Sequence, residues 1–132
     1  IMTFIKYFGG PRAKSAAGYF AAVGVKTKVF SKPETTELLK ILDTTYYGWN
    51  IIFAKETKRI CERFGLDFNE VYAEPNEDYN LSYSKLGMKH VVRPVLKAVS
   101  GKIGGHCVIP NTFLLKDWLT DSLRKRNETY GL

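Results

Sequence analysis

The stretch Gly101-Lys102-Ile103-Gly104-Gly105-His106-Cys107-Val108-Ile109-Pro110-Asn111 concentrates the residues of this chain that could do chemistry. Three glycines, a histidine and one of only two cysteines fall within seven residues. A Gly-Gly step lets the backbone come close to a ligand, or take up positive φ, without the steric penalty of a Cβ. A cysteine directly after such a turn can sit at the lip of a pocket, where a thiolate is a positioned nucleophile. A tight turn followed by a buried, structural cysteine accounts for the same spacing. Cys61 falls on an apolar helical stripe and reads as core. The two cysteines make no disulfide framework and point to a reducing compartment. With His90 and His106 they form a conceivable Cys/His set, but no C-x-x-C or H-x-x-x-H spacing accompanies it, so no metal is expected. His106 reads as a loop hydrogen-bonding residue and His90 as a surface or packing residue.

Several elements must position that loop. Residues 3–8 read as a strand, Gly9-Gly10 as its end and Pro11 as the first turn of a helix. Ala13, Ala16, Ala17, Phe20 and Val23 then recur at helical spacing, and Gly24 ends the helix. Val25 to Phe30 alternates as a second strand, which completes a β-α-β unit. Two strands alone do not make a stable sheet, so this unit is expected to end a larger α/β domain or to pair its edge with another element. Ile1 stands before Met2, from which we expect the natural start to lie elsewhere, although a cloning remnant would look the same.

Ser31-Lys32-Pro33-Glu34 is a helix start. An uninterrupted apolar pattern follows through Phe64, with Gly65 as its close, and predicts one helix of about 30 residues, roughly 45 Å long. Apolar residues fall on more than one face, so it is either buried on several sides or forms a dimer interface. Tyr46, Tyr47 and Trp49 read as packing residues there, and Gly48 permits close approach at a propensity cost of about 1 kcal/mol. Asp67-Phe68-Asn69-Glu70 resembles a capping box opening a short helix to Tyr72 or Ala73. Residues 74–90 read as polar and turn-rich, with Pro75 to Asp78 as a loop. Asn111 or Thr112 is placed as the cap of a last helix carrying Phe113, Leu115, Trp118, Leu119 and Leu123. The expected class is mostly α: a Rossmann-like β-α-β tail over residues 1–31, then a helical domain over 32–132.

The chain has 132 residues, 45% of them apolar, and a net charge of +7. That content supports a packed core and argues against disorder. The cations are dispersed, with Arg124-Lys125-Arg126 as the one tight cluster, so an anionic small ligand, or simple solubility, is favoured over nucleic acid. No apolar run reaches 18 residues and no signal-peptide pattern opens the chain, from which a cytoplasmic protein without a membrane partner is expected.

Two stretches together resemble the UDP-glucose/GDP-mannose dehydrogenases. Glu37 to Glu56 resembles that family's long central helix, E-L-x-K-L-x-E-N-T-Y-x-x-x-N/K-I-x-x-x-N-E. Gly101 to Asn111 is similar to its G-x-G-G-x-C-x-x-x-D loop. Gly9-Gly10, with the helix and strand after it, fits the end of the family's first Rossmann domain. The form Gly-Gly-His-Cys, with Asn50 where the UDP-glucose enzymes carry lysine, is more similar to the branch acting on UDP-N-acetylhexosamines.

The resemblance implies an all-α central domain of the 6-phosphogluconate dehydrogenase C-terminal type and a homodimer through residues 33–64. It also implies an activity: NAD oxidises the sugar C6 alcohol to an aldehyde, a cysteine adds to give a thiohemiacetal, a second hydride loss gives a thioester, and water releases the uronate. Cys107 matches the nucleophile, and Asn50, Lys55 and Asn111 match the other catalytic positions. Gly104, Gly105 and His106 match the loop that meets the UDP-sugar. Lys102 and His106 are candidates for the positive field a thiolate needs, and Arg93 either reaches the sugar-nucleotide phosphate or is a surface cation. Two positions depart from the family pattern. Lys55 replaces an asparagine, and either faces the site, where it would stabilise an oxyanion or lower the thiol pKa, or is solvated. Asn111 replaces an aspartate, and its amide cannot act as a base. No G-x-G-x-x-G follows a strand, so NAD is expected only from a longer protein and no complete NAD site from this chain. Two other readings stand beside the enzyme: a dimerisation or sugar-nucleotide-binding module that has lost turnover, and a thiol enzyme pairing Cys107 with His106. Adjacent residues seldom make a good thiol–base pair, which counts against the latter.

Overall fold

A computed structural model describes residues 3–131; Ile1, Met2 and Leu132, and with them the reading of the start, lie outside the described residues. The chain divides into two compact units, Ile1–Asp43 and Thr44–Leu132.

In the first unit, β1 (Lys6–Gly9) and β2 (Thr27–Phe30) pair in parallel, with Lys6 opposite Thr27 and Gly9 opposite Phe30. Helix α1 (Ala13–Ala22) connects them. Both strands are shorter than the alternation predicts, and Pro11 lies in the turn ahead of α1 rather than within it. Ala13 and Ala17, four residues apart on one face, are buried. Phe20 and Val23 are exposed, so the inner face of α1 is the small-residue part of its apolar pattern. Only the Phe20 ring reaches back, to 5.2 Å from the Phe8 ring.

Helix α2 (Pro33–Phe64) runs from the first unit into the second. Pro33 stands at its first position, where the missing N–H breaks no helical bond. Glu34 in the first turn and Arg63 in the last complement the helix dipole. Thr45 and Ile52 are buried on one face of α2 and Ala54 and Cys61 on the opposite one, so its second half is buried on two sides, while Leu38, Leu39, Leu42, Tyr46, Tyr47, Phe53, Ile60 and Phe64 stay exposed.

The second unit corrects two expectations. After α2, the Asp67 carboxylate accepts the N–H groups of Asn69 at 2.8 Å and Glu70 at 3.1 Å, as a cap should. The helix does not stop at Ala73, however. A wide turn, Asn69–Ala73, continues directly into α3 (Glu74–Lys85), where the sequence predicts a loop. Pro75, Glu74 and Glu77 fall in the first turn of α3. The second correction concerns the last helix, which is two. Asn111 and Thr112 lie inside α4 (Val108–Thr112), where the Thr112 hydroxyl donates to the Ile109 carbonyl at 2.5 Å. Asp117 caps α5 (Trp118–Glu128) by accepting the Leu119 N–H at 2.9 Å. Asp117 has the extended backbone a cap needs and Thr112 does not.

Ile52 of α2, Val108 of α4 and Leu123 of α5 form the core cluster, with Trp49, Ile103, Ile109 and Tyr130 packed against it. Cys61 is also buried. Among the described residues no helix is long and apolar enough to cross a membrane.

Candidate functional site

Helix α2 presents different faces to the segments that carry the candidate residues. Thr44, Gly48, Ile52 and Lys55 follow one another at spacings of four, four and three, and so lie along one stripe. All four meet the chain between Val99 and α5. Asn111 donates to the Thr44 hydroxyl at 3.2 Å. Gly48 lies so close to α4 and α5 that a Cβ there would stand 2.6 Å from Leu123 Cδ2 and 2.7 Å from Val108 Cγ1. Ile52 joins Val108 and Leu123 in the core. The Lys55 ammonium donates to the carbonyls of Val99 and of Gly101, the latter at 2.7 Å.

Between these anchors runs the thiol loop. Gly101 and Gly105 have φ of +76° and +83°, the left-handed region in which a Cβ is penalised, and the chain bends at both. The Ile103 N–H donates to the buried Asn127 side chain at 2.7 Å. Gly104, Gly105, His106 and Cys107 are exposed, and Val108 is buried immediately after. Cys107 therefore stands free at the lip of α4 while Cys61 is closed off in the core. Lys102 is ion-paired with Glu128, which offsets its positive field at the thiol.

Arg93 and Asn50 share a separate cavity of about 480 Å³, lined also by Phe53, Thr57, Tyr72 and Asn76. Arg93 is held from three directions, all on α3. Asn80 exchanges two hydrogen bonds with the Arg93 backbone, both 2.8 Å, and Asn76 accepts from its guanidinium at 3.2 Å. The Tyr79 ring lies under the guanidinium at 3.6 Å. Asn50 donates to the Tyr46 carbonyl of its own helix at 2.9 Å. Residues five apart on a helix differ by about 140° in direction, so Asn50 and Lys55 face different ways. Lys55 and Asn111 are also apart, because their anchor points on α2 are eleven residues, or about 16 Å, distant along the axis. The candidate set thus falls into three places: Lys55 with Gly101 at one end of the thiol loop, Asn111 with Thr44 at the other, and Asn50 with Arg93 in the separate cavity.

The model for the UDP-glucose/GDP-mannose dehydrogenase family, central domain, matches residues 34–122. The chain belongs to this family. No curated protein and no solved structure matches it.

The match runs from the start of α2 into α5, and so takes in the helical stripe, the Arg93 cavity and the thiol loop. At the two positions where this family member departs from the pattern, the side chains are engaged internally. Burial pushes the Lys55 pKa down. Thr44, Asn80 and Asn127 anchor the candidate residues, and none of them stands out as a site residue in the sequence. For Thr44 a signal existed, its helical spacing from Gly48. Asn127 gives none, because an asparagine near a helix end is ordinarily exposed.

Glu56, next to Lys55 on α2, carries an ion-pair network. Its carboxylate pairs with Arg126 of α5 and with Arg59, and accepts from the Tyr130 hydroxyl. Burial pushes its pKa up, but the bonds from Arg126, Tyr130 and Arg59 outweigh this and bring it down to about 2. A carboxyl whose pKa falls on folding stabilises the fold above its unfolded value, near 4.5, and loses that contribution as pH falls towards 2. Glu56→Gln is expected to cost about 2 kcal/mol at pH 7. Chemical denaturation across pH 2–7 checks this: the gap between the two proteins should narrow below pH 4.5, and a pH-independent gap would contradict it.

Proposed function

We propose that the chain is the central part of an NAD-dependent sugar-nucleotide 6-dehydrogenase that oxidises a UDP-sugar, of the N-acetylhexosamine class, to a UDP-uronate in the cytoplasm. The carrying observation is that the family's helix and glycine loop meet, with the thiol of Cys107 exposed between anchored ends. In this reading residues 1–31 close a Rossmann-like domain, and residues 32–132 are a helical domain of the 6-phosphogluconate dehydrogenase C-terminal type.

The described residues do not fit a dinucleotide. The one β-turn-α step here, Gly9-Gly10-Pro11-Arg12, lacks the glycine spacing that brings a pyrophosphate onto a helix N-terminus. NAD, which accepts the hydrides, would be held by another part of the protein. This chain's own part is nucleophilic. The Cys107 sulfur adds to the C6 aldehyde carbon, the C=O π bond breaks and the oxygen takes a proton, giving a thiohemiacetal. At the thioester stage, water adds to the acyl carbon and the C–S bond breaks, leaving the uronate and the free thiol. Asn111, held by Thr44, can orient that water but cannot take its proton. Arg93, preset by Asn76, Tyr79 and Asn80, offers its guanidinium to the nucleotide phosphates. The test is an assay of the natural gene product with UDP-N-acetylhexosamines and NAD. Two NADH per uronate are expected; no NADH with any UDP-hexose would contradict the reading.

The homodimer expected through residues 33–64 is supported by the apolar side chains that α2 leaves exposed. Trp49 is a poor probe of it, because its indole donates to the Leu119 carbonyl at 3.1 Å and packs on the core. Tyr47, half exposed, is a better one. Tyr47→Glu is expected to weaken self-association at least about tenfold, or about 1.4 kcal/mol, with little change in Tm. Unchanged mass by light scattering across concentration would count against this interface.

A further inference from the structure

We propose that Lys55 is a positioning residue for the thiol: its ammonium clamps the backbone at Val99 and Gly101 onto α2, and the placement of Cys107 depends on that clamp. For its consequence in turnover this rests on the reading of Cys107 as nucleophile; the clamp itself does not.

Lys55 is buried, 7% exposed. An ammonium removed from water needs its donors satisfied. Here carbonyls satisfy two of them, those of Val99 and Gly101, and the Tyr130 ring lies 5.1 Å from the nitrogen. The neighbouring carboxylate, Glu56, is taken up by Arg126, Arg59 and Tyr130. Glu62, which lines the same cavity of about 260 Å³, pairs with Lys58. The lysine is therefore spent on backbone, at the one place where the chain enters the glycine loop.

The backbone at that entry sets where Cys107 lies. Residues 92–99 belong to no helix or strand, so no ladder fixes the chain there. Upstream, the Tyr72 hydroxyl bonds the Pro94 carbonyl at 3.1 Å and the Leu96 N–H at 3.3 Å. Downstream, Asn127 takes the Ile103 N–H. Between them Lys55 ties the backbone, and the Lys102 side chain pairs with Glu128. Beyond it come two left-handed glycines and then Cys107, whose far side is fixed by buried Val108. Slack introduced at Gly101 enters the span from Gly101 to Val108, which holds the Ile103 anchor and then the thiol. An asparagine at position 55, as in the family pattern, is too short to reach both carbonyls from the same backbone position.

Hydrogen exchange by mass spectrometry and iodoacetamide labelling of the natural gene product test this with Lys55→Met, which keeps the length and removes the donors. Amide exchange across residues 98–107 should rise at least about tenfold and Cys107 labelling should change at least about threefold. Exchange in α5 and labelling of Cys61 should stay as in the parent. Unchanged exchange across 98–107 would overturn the proposal. If Lys55→Met does not fold, Lys55→Gln, able to reach one carbonyl, decides. A local rise of about threefold supports the clamp. A parental profile, or a uniform rise over α2, α5 and the loop with Cys61 labelled as fast as Cys107, overturns it. Neither readout needs turnover. A protein without dehydrogenase activity that still shows the local response would sink the proposed function and leave the clamp standing; an active dehydrogenase without the response would do the reverse.

Discussion

Cys107→Ala in the natural gene product is expected to lower uronate formation by about 10³-fold or more, with Tm unchanged. The size follows from the chemistry. Without the sulfur there is no thiohemiacetal, and the aldehyde carbon has no covalent partner for the second oxidation. The silence in stability follows from exposure: Cys107 lies outside the core, and truncating an exposed side chain typically changes stability by less than about 0.5 kcal/mol. Cys61 is the internal control. It is 2% exposed, so Cys61→Ala should cost about 1 kcal/mol through the void it leaves, and should keep its activity. A Cys107→Ala enzyme that still forms uronate at the parental rate would remove the thiol from the mechanism. A shared loss of stability in both variants would make Cys107 a packing residue.

The second large effect is at Gly48. Both close atoms belong to buried side chains, and Leu123 is fully buried, so neither can swing out to make room for a methyl group. Gly48→Ala gains about 1 kcal/mol of helix propensity and meets an overpacking cost of up to about 3 kcal/mol. A net loss of about 1–2 kcal/mol is expected, and Gly48→Val should lose more. Leu123→Ala alone should cost about 3 kcal/mol. The two are coupled, because the methyl added at Gly48 would occupy space that Leu123 vacates. The double variant should therefore be at least about 1 kcal/mol more stable than the sum of the singles implies. Strict additivity in denaturant unfolding would show that the helices do not approach as described. The effect bears on function as well, since Val108, the other neighbour of Gly48, directly follows Cys107.

How far the sequence reveals this arrangement depends on the kind of signal. The long period-3.6 pattern from Leu38 to Phe64 predicts α2 nearly to its ends, because many residues vote for one helix and Pro33 and Gly65 punctuate it. The β-α-β order of the first unit is likewise legible from alternation and Gly-Gly. Helix α3 is not. It is rich in polar residues, with no buried side chain, and its place is fixed by the Asp67 cap and by the bonds of Asn76 and Asn80 to Tyr72 and Arg93. The Asn80–Arg93 bond joins residues thirteen apart in sequence, which a local pattern cannot express. Helix geometry alone separates Asn50 from Lys55, since a spacing of five turns them to different faces. What Lys55 faces could not be read, because its partners are carbonyls, which every residue carries. The break between α4 and α5 was available in Asp117, a better cap than Thr112.

The account stands most directly on whether Cys107 becomes acylated during turnover. We would quench the natural gene product in the presence of NAD and a UDP-N-acetylhexosamine, digest it, and weigh the peptides containing Cys107 and Cys61. A hydroxylamine-sensitive uronyl adduct on Cys107, absent from Cys61, is the expected result. Uronate accumulating while Cys107 stays unmodified, and at the same rate after Cys107 is blocked with iodoacetamide, would contradict it.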